Sequence, residues 1–137
     1  MIVDAKNLIA GRMSAFVAKQ LLLGEKVDVI NAEKAVISGT RAFVLEKFAH
    51  RIDRGTPRRG PFSPRMPQMI LKRMIRGMLP FSQHKGRVVF KNLRCHVGVP
   101  KQFEGQKTEN LKRFHKESLT SIGTITIQQI SNHLGKK

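Results

Sequence analysis

The sequence predicts an α/β layered domain, with helices on both faces of a mainly parallel sheet and a basic arm standing out from it. Three observations carry that expectation. Short β-branched runs alternate with segments of helical periodicity, the alternation that builds parallel sheets. From Met1 to Asn31 a strand, a helix and a second strand follow one another with short joints, a βαβ unit whose strands should be parallel. The length of 137 residues suits a single domain, 1–137, large enough to bury a real core.

Taken in order, Met1 to Val3 is short and apolar and suits an initial strand. Gly11 to Leu23 reads as a helix, with Met13, Phe16, Val17 and Leu21 on one face and Gly24 as its stop. The run KVDVIN, with Val27, Val29 and Ile30, is the second strand. Ala35 to Ile37 is a brief apolar segment, after which Ser38 or Thr40 can cap a helix running to about Arg54 with Leu45, Phe48, Ala49 and Ile52 inward.

Residues 54–66 then form an irregular cationic arm. Pro57, Pro61 and Pro64 remove backbone donors, Gly55 and Gly60 loosen the chain, and Arg58, Arg59 and Arg65 stand there without an acidic neighbour. After the arm, Pro67, Ile70, Leu71, Met74, Ile75 and Met78 recur at the spacing of one apolar helix face, and Lys72, Arg73 and Arg76 fall on the opposite face. Ser82 is placed to cap a further helix with Val89, Phe90 and Leu93 inward and Lys85, Arg87 and Lys91 outward. Arg94 to Val97 is a strand candidate. The polar stretch 98–121 is expected to be a long connection with at most one short helix. Ile122, Ile125 and Ile127 suggest an extended segment, Thr126 with Gln129 a capping box, and Gly135 the end of a final helix.

The charge is unusual. Twenty-six Lys and Arg face nine Asp and Glu, for a net charge of +17 and a pI near 11.2. Residues 50–101 hold thirteen basic residues and one acidic residue, Asp53, so most of the excess lies in the middle third. A solvated face normally mixes both signs. A one-signed block repels itself unless an anion lies against it, which points to a polyanionic partner.

The sequence carries no recognisable catalytic or metal-binding pattern. Neither GxxxxGK[ST] nor GxGxxG occurs, so no phosphate-cradling glycine loop is present. The single Cys95 excludes an intramolecular disulfide and a cysteine-cluster zinc site, and reads as a small buried hydrophobe. His50, His84, His96, His115 and His133 are scattered, with no pair at helical ligand spacing. Asp4 ends a strand, where a catalytic residue of an α/β fold can sit, but as a lone carboxylate it reads better as a turn cap or a partner for a cation. Nothing in MIVDAKN resembles a signal peptide, and no apolar run approaches the roughly 20 residues that span a bilayer. A membrane-surface role fits poorly, because the cations accompany a proline-fixed arm rather than a long apolar stripe.

Nucleic acid is the polyanion these residues suit best. Arginine forks grip phosphate, and Pro-Gly loops let a backbone approach it. With no Trp and no Tyr, the chain lacks the usual stacking platform for splayed bases, so a folded, phosphate-rich shape is the expected target. Phe62 and Phe81 flank the basic stretch and suit either stacking or anchoring.

Several ordered motifs then resemble one family. The opening VDAKNLIAGRMSAFVAKQLLLGEKVDVINAEKAVISGTR, then RGTPRRGPF, then RGMLP with its basic sequel, and finally TITIQQISNHLG are similar to the ribosomal protein L-thirteen family, in its archaeal and eukaryotic branch. The resemblance implies a three-layer α/β/α sandwich with a four-stranded parallel sheet. It also implies a non-catalytic protein of the large ribosomal subunit, cytoplasmic, needing no cofactor. Its partners would be large-subunit rRNA and neighbouring ribosomal proteins. On that reading Arg54, Arg58, Arg59 and Arg65 reach phosphates from the arm, Lys72, Arg73 and Arg76 extend the contact along one helix, and Lys85, Arg87 and Lys91 continue it.

Overall fold

The computed structural model describes residues 1–56, 58–109, 111–119 and 123–135. The expectations placed on Pro57, on Ile122 and on the last residues of the polar connection lie outside these.

The opening βαβ unit forms as the sequence predicts. Strand β1 (Ile2–Asp4) leads into helix α1 (Ala10–Leu22), and β2 (Val27–Ile30) returns parallel to β1, with Val3 opposite Val29. On α1, Met13, Val17 and Leu21 are fully buried, which is the apolar face read from their spacing, while Phe16 is only partly buried. Strand β4 (Leu93–Cys95) adds to the far side of β2, also parallel, giving a sheet in the order β1-β2-β4.

The remaining strands go elsewhere. Strand β3 (Val36–Ser38) pairs antiparallel with β5 (Thr124–Thr126) in a separate two-stranded sheet. A mixed α/β fold with a mainly parallel three-stranded sheet and a small antiparallel sheet is therefore what the described residues show. An isolated parallel bridge joins β3 to the segment between β1 and α1, Val36 with Ile9.

Helix α2 (Arg41–Asp53) follows β3 as expected, but its N-cap Thr40 makes no side-chain cap bond. Its fully buried residue is Val44, with Leu45, Phe48, Ala49 and Ile52 only partly covered. Helix α3 (Pro67–Gly77) starts on a proline at its first position, where the missing donor costs nothing. Pro67, Ile70, Leu71 and Ile75 are buried, Met74 is half-buried, and Met78 stands 42% exposed just past the helix end. The apolar stripe therefore fades toward its C-terminus. Helix α3 is the hub of the fold, since it packs on α1, on β4, on the 3-10 turn at Ala32–Lys34, and on the final helix α5 (Ile127–His133).

Helix α4 (His84–Phe90) departs from expectation at both ends. Gln83, not Ser82, is its N-cap, and no side chain caps it. Leu93 is buried in β4 rather than on the helix, because the helix stops at Phe90. A glycine is required inside α4 for a packing reason. A Cβ on Gly86 would collide with the Pro80 carbonyl, so α4 lies directly against the turn that follows α3.

The polar connection is neither loose nor nearly helix-free. Its described residues contain three short 3-10 turns, at Lys101–Phe103, Lys112–Phe114 and Lys116–Ser118. Backbone bonds hold it along the first strand and the loop after it: Glu109 N to Ile2 O at 2.8 Å, Ile9 N to Phe114 O at 2.8 Å and Lys116 N to Asn7 O at 2.9 Å. Leu111 is buried among the core residues. An otherwise polar stretch is fixed by main-chain pairing, which leaves little trace in side-chain pattern.

The capping box is present as read. Thr126 Oγ1 accepts from Gln129 N at 3.3 Å and Gln129 Oε1 accepts from Thr126 N at 3.1 Å. Ile127, expected in the extended segment, is instead the first residue of α5.

Candidate nucleic-acid interface

The arm begins where α2 ends. Thr56 and Gly60 exchange backbone hydrogen bonds at 3.2 and 2.9 Å, and Arg59 N donates to Thr56 Oγ1 at 3.2 Å. The arm is thus a closed hairpin rather than an irregular strap, with exposed Arg58 and Arg59 at its tip. Closure depends on Gly55, which has φ of +94°, and a Cβ there would overlap the Gly60 carbonyl. Gly55→Ala should therefore open the hairpin. We expect RNA affinity to fall by about tenfold, as two arginines lose fixed positions, while the urea midpoint moves little. Unchanged affinity in a binding titration would show that the hairpin does not position these arginines for contact.

The base of the arm is tied down at three points. Ser63 Oγ donates to Arg51 O at 3.2 Å, and Ser131 Oγ, buried on α5, donates to Arg65 O at 2.7 Å. Arg73 Nη1, from α3, donates to Phe62 O at 2.8 Å. Arg54 and Arg65 line the same small hollow as Phe62, and Arg54 Nε lies 3.1 Å from His50 Nε2. The structure so gathers Arg54, Arg65 and Arg73 around the arm's root. Phe62 is 71% exposed and free to stack on a ligand.

A second group forms between α3 and α4. Phe81 and Phe90 meet edge to face at 5.5 Å. Lys72 Nζ lies 5.2 Å from the Phe90 ring centre and the Arg76 guanidinium 5.0 Å from that of Phe81. Arg87 donates to the carbonyls of Phe81 at 3.2 Å and Ser82 at 3.3 Å. Phe81 is therefore an anchor: the aromatic pair orients Lys72 and Arg76, and the backbone carbonyls of Phe81 and Ser82 hold Arg87 beside them. Lys85 on α4 and Lys91 just past its end are exposed, as predicted, but no contact joins them to this group.

The manner of holding these cations matters. Among the described residues the ion pairs are Lys34–Glu33, His96–Asp28 and His115–Glu117, and none contains an arginine. Ring faces and carbonyls orient the guanidinium groups without cancelling their charge. Sequence reading missed Lys47 and Arg51 on α2, which lie over Phe43 at 5.9 Å and Phe48 at 5.4 Å. Their signal was the Phe-x-x-x-Lys and Phe-x-x-Arg spacing, which helical geometry brings together.

The positions considered for catalysis have structural duties. Asp4 Oδ1 accepts from Lys6 N at 3.0 Å and from Asn31 Nδ2 at 2.9 Å, which closes the turn after β1. Cys95 is partly buried against the core, and burial pushes its thiol up to about 12 from 9.0, with the charge of Lys72 opposing. Native Cys95 should therefore label with Ellman's reagent at pH 8 more than about tenfold slower than in urea. Because the shift is upward, the stability it carries is complete below pH 9.0 and is lost as the pH rises toward about 12. Equal labelling rates in the two states would place the thiol in solvent.

Fold and surface together define a basic α/β domain whose cations are steered by aromatic faces and carbonyls. Among the described residues no cluster of three His, Cys, Asp or Glu is placed to hold a metal ion. The family model for ribosomal protein L13 matches residues 1–102. The large ribosomal subunit protein uL13 of Methanosarcina barkeri is 41% identical over 137 residues, covering 99% of this chain and 98% of that protein. The protein of the same name from Thermoplasma volcanium is 40% identical over 134 residues, covering 98% and 97%. That from Archaeoglobus fulgidus is 39% identical over 135 residues, covering 98% and 86%. The chain belongs to the ribosomal protein L13 family of the large subunit, and is a ribosomal protein rather than an enzyme.

Proposed function

We propose that the chain is a structural constituent of the large ribosomal subunit that binds large-subunit rRNA through the arm and the α3–α4 surface, and supports subunit assembly in the cytoplasm. One observation carries this reading: the middle third holds thirteen basic residues against Asp53 alone, and none of its arginines is neutralised by a carboxylate among the described residues. Arg58 and Arg59 are the tip contacts. Arg54, Arg65 and Arg73 act at the arm's root, Lys72, Arg76 and Arg87 at the aromatic pair, and Lys85 and Lys91 further along α4. Neighbouring large-subunit proteins are the remaining partners. In this reading the two sheets are parts of the three-layer α/β/α sandwich and four-stranded sheet that the resemblance implies.

The test is crosslinking in assembled subunits from positions in 55–76. RNA adducts from the arm and from the cationic side of α3 are expected. Crosslinks from Arg58, Arg59 and Arg65 to protein alone would overturn the assignment.

A further inference from the structure

A groove runs between α2 and α3, both of which pack on α5. Its walls are built of two kinds of side chain. Phe43, Phe48, Met74 and Met78 give it an apolar lining, with Phe43 61% and Met78 42% exposed. Lys47, Arg51, Arg73 and Arg76 line it as well, and no carboxylate does. Phe43, Lys47 and Arg51 follow at intervals of four residues, so they form one ridge along α2. Opposite, a Cβ on Gly77 would meet nothing within 4 Å, so the α3 wall has open space at that point.

We infer that this groove docks an acidic amphipathic segment of another protein, its apolar side chains on Phe43 and Met78 and its carboxylates on Lys47 and Arg51. Charge complementarity selects the occupant. Lys47 and Arg51, which lie outside the proposed rRNA surface and have no carboxylate in the lining, call for negative charge, and the apolar lining calls for side chains that give up water. A ribose-phosphate backbone supplies only the first, and would leave Phe43 and Met78 against polar atoms. A second copy of this chain, at +17, supplies exposed apolar side chains such as Leu22 and Leu23 but not the negative charge. This goes beyond rRNA binding, which is proposed for the arm and the α3–α4 surface.

The full-length protein is titrated by fluorescence anisotropy with a short fluorescein-labelled peptide of Glu and Leu in helical periodicity, at physiological ionic strength. A scrambled peptide of equal charge is the control. The patterned peptide should bind more tightly than the scrambled one. Phe43→Ser with Met78→Gln should weaken it about tenfold or more, as should Lys47→Glu with Arg51→Glu. Phe43 and Met78 are exposed enough that their replacement spares the fold, which circular dichroism verifies. Affinity for a large-subunit rRNA fragment should stay unchanged in the Phe43→Ser, Met78→Gln protein. Equal affinity for both peptides, or equal weakening by Arg58→Glu with Arg59→Glu, would reduce the binding to net charge and overturn the inference. So would a loss of rRNA binding in the Phe43, Met78 variant, since the groove would then be an RNA surface. Failure of the arm variants to weaken rRNA binding would instead count against the function proposed for the arm, and leaves the peptide result standing.

Discussion

Raising salt from about 50 to about 200 mM should weaken binding to a large-subunit rRNA fragment by about 10³–10⁵-fold. The size follows from counterion release, which makes affinity fall with a slope of about −0.9 per phosphate neutralised in a duplex, if about 6–10 cations engage. Ten cations meet the requirement: Arg54, Arg58, Arg59, Arg65, Lys72, Arg73, Arg76, Lys85, Arg87 and Lys91. The structure strengthens the expectation beyond a count of charges. Had carboxylates held these side chains, RNA would have to displace them, and part of the gain would be lost. Instead Arg73 and Arg87 lie on carbonyls, and Lys72 and Arg76 on ring faces. Each keeps its full charge while losing part of its rotamer freedom before RNA arrives. Filter binding or anisotropy across a salt series measures the slope. A near-flat slope would mean that the basic face is not where RNA binds.

Replacing Leu71 with alanine should cost about 2–5 kcal/mol of unfolding free energy. Leu71 is fully buried on α3, the helix that touches α1, β4 and α5 at once. A void there removes transfer energy and also dispersion contacts that neighbours on three sides cannot all recover. Against a typical total of about 5–15 kcal/mol, the loss is a large fraction. Met78→Ala, at a 42% exposed position one residue past the same helix, should cost under about 1 kcal/mol. Urea unfolding with unchanged m-values makes the comparison. Similar midpoints for the two variants would show that α3 is not the hub of the core. RNA binding by folded Leu71→Ala should keep the wild-type salt slope, because no cation is removed.

Much of the fold was legible because local spacing decides which face of an element is buried. The α3 stripe, the α1 face and the Thr126–Gln129 box rest on residues within a few positions of one another, and all three form. The misses share a cause. Ser82 is an acceptable N-cap by type, yet α4 starts one residue later, where Gly86 can lie on Pro80. The stretch at 101–119 looked unpatterned because its anchors are main-chain bonds to Ile2, Asn7 and Ile9, about a hundred residues away. The site was legible by composition and by helical face. Its holding contacts were not, since the residues concerned are separated in sequence, as Arg73 is from Phe62 and Ser131 from Arg65.

The charge, its concentration in the middle third, the amphipathic character of α3 and the absence of nucleotide-binding glycine loops are all written in the order of the residues. These are properties of composition and short-range period, which no folding event can alter. Three features came from the folded chain alone: β3 pairs with β5 outside the parallel sheet, Thr56 and Gly60 close a turn in the arm, and Phe81 and Phe90 seat Lys72 and Arg76. Strand pairing and aromatic contact depend on which distant segments can be brought together without leaving buried backbone groups unpaired. That condition belongs to the whole chain at once.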